Sequence, residues 1–436
     1  MSAVAQAHRS EGLEETTWRA LRREFRLDPS RLHLANFFLA SPPTSVRAAA
    51  DHWRALLDFD PHLLESFLLG DLAELGSGIA SDSPYFQAKT AIAGYLGAPA
   101  EEVAFVPSTT TGLALIYNGL SIPADAEMVI TPDAHYSLHQ AVHRAAEKNR
   151  AAVRRCSLYH DPAHTTREEI LDRVRAALTP RTRCLGLTWV SSRTGVELPL
   201  PEIAALVADA NRDRDEASRC LLIVDGVQGF GAEDHETARL GSDFFIAGAH
   251  KWFLGPAGTG VVHGRAQAWR QIAPTIPSFE IDTTLHTCWL GDRPLPATRA
   301  SFVAPGGFTD YANIFALTDT VRFHQRIGRS AIAARIRELN TRLRHELAGT
   351  PGIRLLTPTD PAMASGLVCF QIPGRTAATV VAALATHGIK AATSPYEEET
   401  IRMGAGIINN HDEIEHAVAT LRGQSRLPGV TALPSC

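Results

Sequence analysis

The chain has 436 residues, enough to bury one large core and a second, smaller one, and its 45% hydrophobic and 20% charged content is ordinary for a globular enzyme. A formal net charge of −5, with no dense Lys/Arg run, argues against nucleic acid or an anionic membrane surface as partner. No uninterrupted apolar stretch reaches the length of a bilayer span, and the N-terminal MSAVAQAHRSEG lacks the apolar centre of a signal peptide, so the expected location is cytoplasmic.

Along the chain, residues 13–25 are expected as a first helix that packs on the smaller domain, since they precede the first strand of the large one. Five short apolar runs follow at 103–106, 128–131, 184–190, 221–224 and 244–247. Their alternation with helical patterns predicts an α/β fold with a mostly parallel sheet covered by helices. Each run leads into polar or reactive residues: Ser108-Thr109-Thr110, Asp133-Ala134-His135, Ser191-Ser192-Arg193, Asp225, and His250-Lys251. Ligands of open α/β sheets gather beyond the carboxyl ends of the strands, so these ends point to one site.

After about residue 315 the pattern changes. Ile332, Ile336, Leu339, Leu343 and Leu347 recur at helical spacing; strands over 353–356 and 366–372 and helices over 376–387 and 411–421 complete a smaller α/β domain. The expected division is 30–315 for the large domain, 1–29 with 316–422 for the small one, and 423–436 as a loose tail. The cysteines are Cys156, Cys184, Cys220, Cys288, Cys369 and Cys436; none forms a CxxC pair, as expected of reduced and mostly buried thiols.

Lys251 follows an apolar strand and is flanked by glycines in the segment from Gly241 to Gly260. A lysine placed so suits a Schiff base with a carbonyl cofactor, because burial lowers its pKa towards a usable amine. Taken alone it also reads as a surface lysine after a strand. Asp225 ends the run 221–224, 26 residues earlier. Pyridoxal 5′-phosphate (PLP) requires an anion beside its pyridine nitrogen, and a buried carboxylate needs such a partner; a helix cap or structural ion pair is the plainer use. Gln228 can donate a hydrogen bond to the ring's phenolic oxygen.

Thr109 and Thr110 open a helix through Leu113, Leu115 and Ile116, and hydroxyls with free N–H groups at a helix start suit a phosphate, although simple capping is the commoner use. His135 ends the next strand, where an imidazole can stack on the pyridine ring and exchange protons with substrate. His139 and His143 continue at i+4 and i+8, but without an HExxH pattern they read as a solvated helix face, and no metal is expected. The loop Gly255-Pro-Ala-Gly-Thr-Gly260 follows the lysine rather than a first βα turn, which argues against a nucleotide loop.

The ordered set Thr109-Thr110, His135, Asp225-x-x-Gln228, His250-Lys251-Trp252 with its glycine-rich sequel, and Arg402 resembles the class V aminotransferase family over residues 30–422. Within the family the chain is similar to the isopenicillin-N-epimerase-like and cysteine-desulfurase-like branches. The resemblance implies a PLP-dependent transferase fold of type I. It also implies a homodimer with its active site at the interface. Lys251 then carries PLP, Asp225 pairs with the pyridine nitrogen, and Gln228 contacts the ring oxygen. His135 stacks on the ring and, with Lys251, is the catalytic pair. Thr109, Thr110 and His250 hold the phosphate, and Thr309, in Gly306-Gly307-Phe308-Thr309, is the candidate contact from the partner subunit. Arg402 takes the place of the arginine that grips the substrate α-carboxylate, and Asn36 falls at the substrate mouth.

Two departures narrow the reaction. Gly248 stands where many relatives have a serine or threonine, and the stretch 390–398 lacks the cysteine that desulfurases need, while Cys369 sits in an apolar strand pattern. The preferred reading is C–S β-elimination from a cysteine S-conjugate or small amino acid. Decarboxylating deamination is the companion reading, as in the PLP enzymes of lincosamide biosynthesis, which the chain resembles as a whole. Transamination and epimerisation stay open, as does a non-catalytic PLP-fold partner protein. Arg193, Tyr136 or Phe37-Phe38 is expected to shape a bulky substrate pocket.

Overall fold

The computed structural model describes residues 14–69, 83–279, 288, 290–291, 294 and 296–425. Seven strands form the main sheet: β2 (Val103–Val106), β3 (Glu127–Ile130), β4 (Ala152–Arg155), β5 (Thr182–Thr188), β6 (Leu221–Asp225), β7 (Phe244–Gly248) and β8 (Gly260–Gly264). Their order is β2-β8-β7-β6-β5-β3-β4. The pairs β3–β4, β3–β5, β5–β6 and β6–β7 are parallel, and β8 runs antiparallel to both its neighbours. Every residue of β2, β3, β5, β6, β7 and β8 is buried, as expected of a sheet covered on both faces. Apolar side chains fill the layers above and below, from Phe105, Leu185 and Phe245 on one face to Met128, Ile223 and Phe244 on the other.

The five expected runs appear as strands with ends shifted by a residue or two. β4 and β8 were not legible. β4 is an edge strand carrying Arg154 and Arg155, and β8 hides in a glycine-rich stretch.

A second sheet, antiparallel, has the order β12-β13-β10-β9, from β9 (Arg354–Leu355), β10 (Val368–Gln371), β12 (Ala392–Thr393) and β13 (Ile401–Met403). The strand β1 (Leu32–His33) pairs in parallel with β11 (Ile389–Lys390), not with the main sheet. The helix Arg329–Ala348 buries Ile332, Ile336, Leu339, Leu343 and Leu347, as its spacing predicts. The first described helix, Glu15–Arg22, sets Trp18 among Phe323, Ile332 and Ile336, and Glu15 pairs with Arg335 at 2.7 Å. Residue 13 of the expected first helix lies outside the described residues. The last helix, His411–Ser425, runs beyond 421, so the expected loose tail begins as helix; its remainder lies outside the described residues.

Among the described residues, no helix is long and apolar enough to cross a membrane. Cys156, Cys184, Cys220, Cys288 and Cys369 are free thiols.

Candidate active site

The carboxyl ends of the parallel strands converge on one cavity. Thr109, Thr110, His135, Asp225, Gln228, His250 and Lys251 all line it, so the sheet brings seven of the expected residues together. Asp225 is only 2% exposed; its carboxylate accepts the Val227 N–H at 3.2 Å. Burial pushes its pKa up, against the pull of the Lys251 charge. Burial lowers the Lys251 amine to about 8, with the Arg402 charge acting in the same direction and Asp225 opposing.

The phosphate-side residues are arranged by helix entry. Ser108 caps the helix Thr109–Gly119 by accepting the Thr111 N–H at 3.1 Å. The Thr109 hydroxyl accepts the Gly248 N–H at 2.8 Å. A Cβ at 248 would lie 2.9 Å from His250 Cε1 and 3.2 Å from Thr109 Oγ1, which explains glycine there in place of a hydroxyl residue. His135 caps the helix Tyr136–Asn149, with Nδ1 2.8 Å from Ser137 Oγ. Burial first, then the Lys251 and Arg402 charges, lower its pKa to about 4, so the imidazole is neutral near pH 7.

Gln228 donates from Nε2 to the Phe37 carbonyl at 3.2 Å and accepts from Trp252 Nε1 at 3.2 Å. One amide hydrogen is left for the cavity. Arg402, on β13, lies over the Phe37 ring at 5.1 Å and donates to the carbonyls of Ser192 at 3.3 Å and Thr393 at 2.7 Å. It is 5% exposed, and its Nε has no hydrogen-bond partner.

Four expected residues are not in the lining of this cavity: Arg402, on β13, and three others. Arg193 turns to Glu398 and lines a neighbouring cavity; Thr309 is exposed beside Phe308; Asn36 is buried next to Gly406. Of the residues expected to shape the pocket, Phe37 is buried under Arg402, whereas Phe38 and Tyr136 are 53% and 60% exposed.

Sequence reasoning missed Thr188 and Tyr396, and named Ser192 only as part of a polar strand end. Thr188 stands in register with Asp225 and has a buried, unpartnered hydroxyl facing the same cavity. Its hydroxyl inside the otherwise apolar run 184–190 was a readable signal. Tyr396 contacts the Ser192 hydroxyl, and burial pushes its phenol pKa up; no local pattern announces it.

These residues fit PLP. A buried carboxylate with one hydrogen bond needs a cation, which a protonated pyridine nitrogen supplies, and a buried lysine amine suits the aldehyde. Comparison with known proteins agrees: the sequence model described as Aminotransferase class-V matches residues 78–416. The chain belongs to the class V aminotransferase family.

As a class V aminotransferase-family member it is a PLP-dependent enzyme. It is 28% identical over 367 residues to isopenicillin N epimerase of Streptomyces clavuligerus, covering 82% of this chain and 84% of that protein. It is 27% identical over 352 residues to cysteine desulfurase of Klebsiella pneumoniae (strain 342), covering 76% and 79%. Among solved structures, a C-DES mutant with glycine covalently linked to its PLP cofactor aligns with a TM-score of 0.77 at 21% identity, covering 92% of this chain and 98% of its own. C-DES is a cystine C–S lyase. At that identity the structural likeness establishes the type I PLP fold.

Proposed function

We propose that this class V enzyme is a lyase that breaks the C–S bond of a cysteine S-conjugate, or of a similar small amino acid, by β-elimination. One observation carries the reading. The loop before Arg402 contains no cysteine, Tyr396 reaches Ser192 from it, and Cys369 is sealed in β10 with its thiol pushed up to about 12 by burial. A persulfide-forming nucleophile is thus lacking where a desulfurase needs one, while the lysine cavity is complete. The likeness to a cystine C–S lyase supports the same reading.

PLP, when bound, draws electrons from the amino acid's Cα. The residues of the chain would do the rest. Lys251 anchors the cofactor and, with an amine near pKa 8, takes the Cα proton. Asp225 neutralises the ring nitrogen, Gln228 supports the ring oxygen, and neutral His135 stacks on the ring. Thr109, Thr110 and His250 hold the phosphate, joined in a homodimer by Thr309 of the second copy. Arg402 would grip the α-carboxylate with a guanidinium held over the Phe37 ring. Asn36 lies at the mouth, and Arg193, Tyr136, Phe37 and Phe38 bound the substrate's outer part. The large unit of this reading is 30–315, the small one 1–29 with 316–422, and the setting is cytoplasmic specialised metabolism, including antibiotic biosynthesis.

The 28% identity to isopenicillin N epimerase favours a second reading, epimerisation, which begins with the same proton removal. Incubating the holoenzyme with S-conjugates and identifying products separates them. Pyruvate with a free thiol supports elimination. Carbon dioxide, ammonia and an aldehyde, formed with dioxygen as the two-electron oxidant, indicate decarboxylating deamination, and an inverted amino acid without fragments indicates epimerisation.

A further inference from the structure

A polar cavity of about 280 Å³ adjoins the Lys251 cavity, lined by Asp133, Tyr159, Arg193, Arg354 and Glu398 among others. The two are close neighbours in chain and space. Asp133 stands two residues before His135 on one loop, and Arg193 follows Ser192 on another. The contact between the Tyr396 and Ser192 hydroxyls stands at their boundary. The Tyr396 phenol feels the charges of Asp133, Arg402 and Asp225. A substrate with its α-carboxylate at Arg402 would reach this space past the Tyr396–Ser192 contact.

The polar groups of the cavity are unequally committed. Asp133 accepts the Ser191 hydroxyl at 2.8 Å and the Tyr159 hydroxyl, and Tyr159 also meets Thr194 Oγ1 at 2.9 Å. Arg193 is engaged by Glu398. Arg354, at the start of β9, is exposed and lies near enough to Asp161 to lower that carboxyl's pKa. Among the described residues its guanidinium has neither an ion pair nor a hydrogen bond. The cavity thus offers satisfied carboxylates and one uncommitted fork of donors, the arrangement that favours an incoming anion.

We propose that this cavity is the subsite for the far end of the substrate side chain, and that Arg354 selects side chains ending in a carboxylate. The proposal rests on the reading that an amino acid binds at Lys251 and Arg402, and names the class of amino acid.

The test uses S-(2-carboxyethyl)cysteine and its neutral isostere S-(2-carbamoylethyl)cysteine. Each is titrated into the holoenzyme, and the change in the cofactor's visible absorption is followed, a readout that reports amino-acid binding whichever bond then breaks. Wild type is expected to bind the carboxylate at least about tenfold more tightly, and Arg354→Ala to reduce that preference below about threefold. Equal affinities in wild type, or a preference staying above threefold in Arg354→Ala, would overturn the subsite while leaving the enzyme reading intact. No absorption change with either amino acid would overturn both.

Discussion

The lining of the Lys251 cavity grows from the ends of adjacent strands; the loop between β12 and β13, with β13 itself, packs behind it against Ser192 and Arg193. In the first, hydrogen-bonded register sets the spacing: Thr188 faces Asp225, and Asp225 faces Ile246. In the second, single contacts do the work. Tyr396 meets Ser192, Glu398 meets Arg193, and Arg402 reaches the Ser192 carbonyl. The difference teaches a division of labour. Groups that would hold the cofactor stand at the ends of one buried sheet, and groups that would meet the substrate come from the small sheet's strand β13 and the loop before it.

Substitutions can break or sharpen that contrast. The largest effect is expected at Lys251. Lys251→Ala should lower kcat by on the order of 10³-fold or more, with loss of the visible cofactor band, measured by turnover and absorption. Asp225→Asn removes the charge paired with the ring and should reduce kcat by roughly 10²-fold or more with the cofactor still bound. Arg402→Lys, on β13, keeps the charge but loses the planar fork. It should lower kcat/KM by roughly 10- to 150-fold, mainly through KM, as expected for about 1.5–3 kcal/mol of charged hydrogen bonding. A pure kcat loss there would erase the proposed division.

Smaller effects probe the junction. Glu197 and Glu233, from the strand side, face Arg337 and Arg344 on the long helix and Ser365. Burial raises Glu197 to about 8, and Glu233 is raised too. A carboxyl whose folded pKa is raised binds more protons folded than unfolded, so stability should fall as pH rises from about 4.5 towards 8. Glu197→Gln should flatten that fall by roughly 1–3 kcal/mol in denaturant unfolding. Tyr396→Phe should be mildest, about 1 kcal/mol or a few-fold in kcat/KM, for one neutral hydrogen bond.

The same contrast decides what could be read in the sequence. Thr109, His135, Asp225 and Lys251 each follow an apolar run, and a parallel sheet carries all such ends to one edge, so period and punctuation sufficed. Gly248 was visible as a departure, but its reason, the Thr109 hydroxyl and His250 ring filling the space, needs coordinates. Tyr396 and Glu398 lie more than 200 residues from Ser192 and Arg193, and nothing local encodes those contacts. Arg193 shows the limit from the other side: its position after a strand end pointed to the cofactor, yet the turn at Gly195, pressed against the Leu367 carbonyl, belongs to a segment that aims Arg193 at Glu398.

Mapping the cofactor attachment tests the centre of this account most directly. The holoenzyme is reduced with borohydride, digested, and the pyridoxyl-bearing peptide sequenced by mass spectrometry. The account predicts a single labelled peptide, modified at Lys251. A label on another lysine, or none in protein that has taken up PLP, would contradict it.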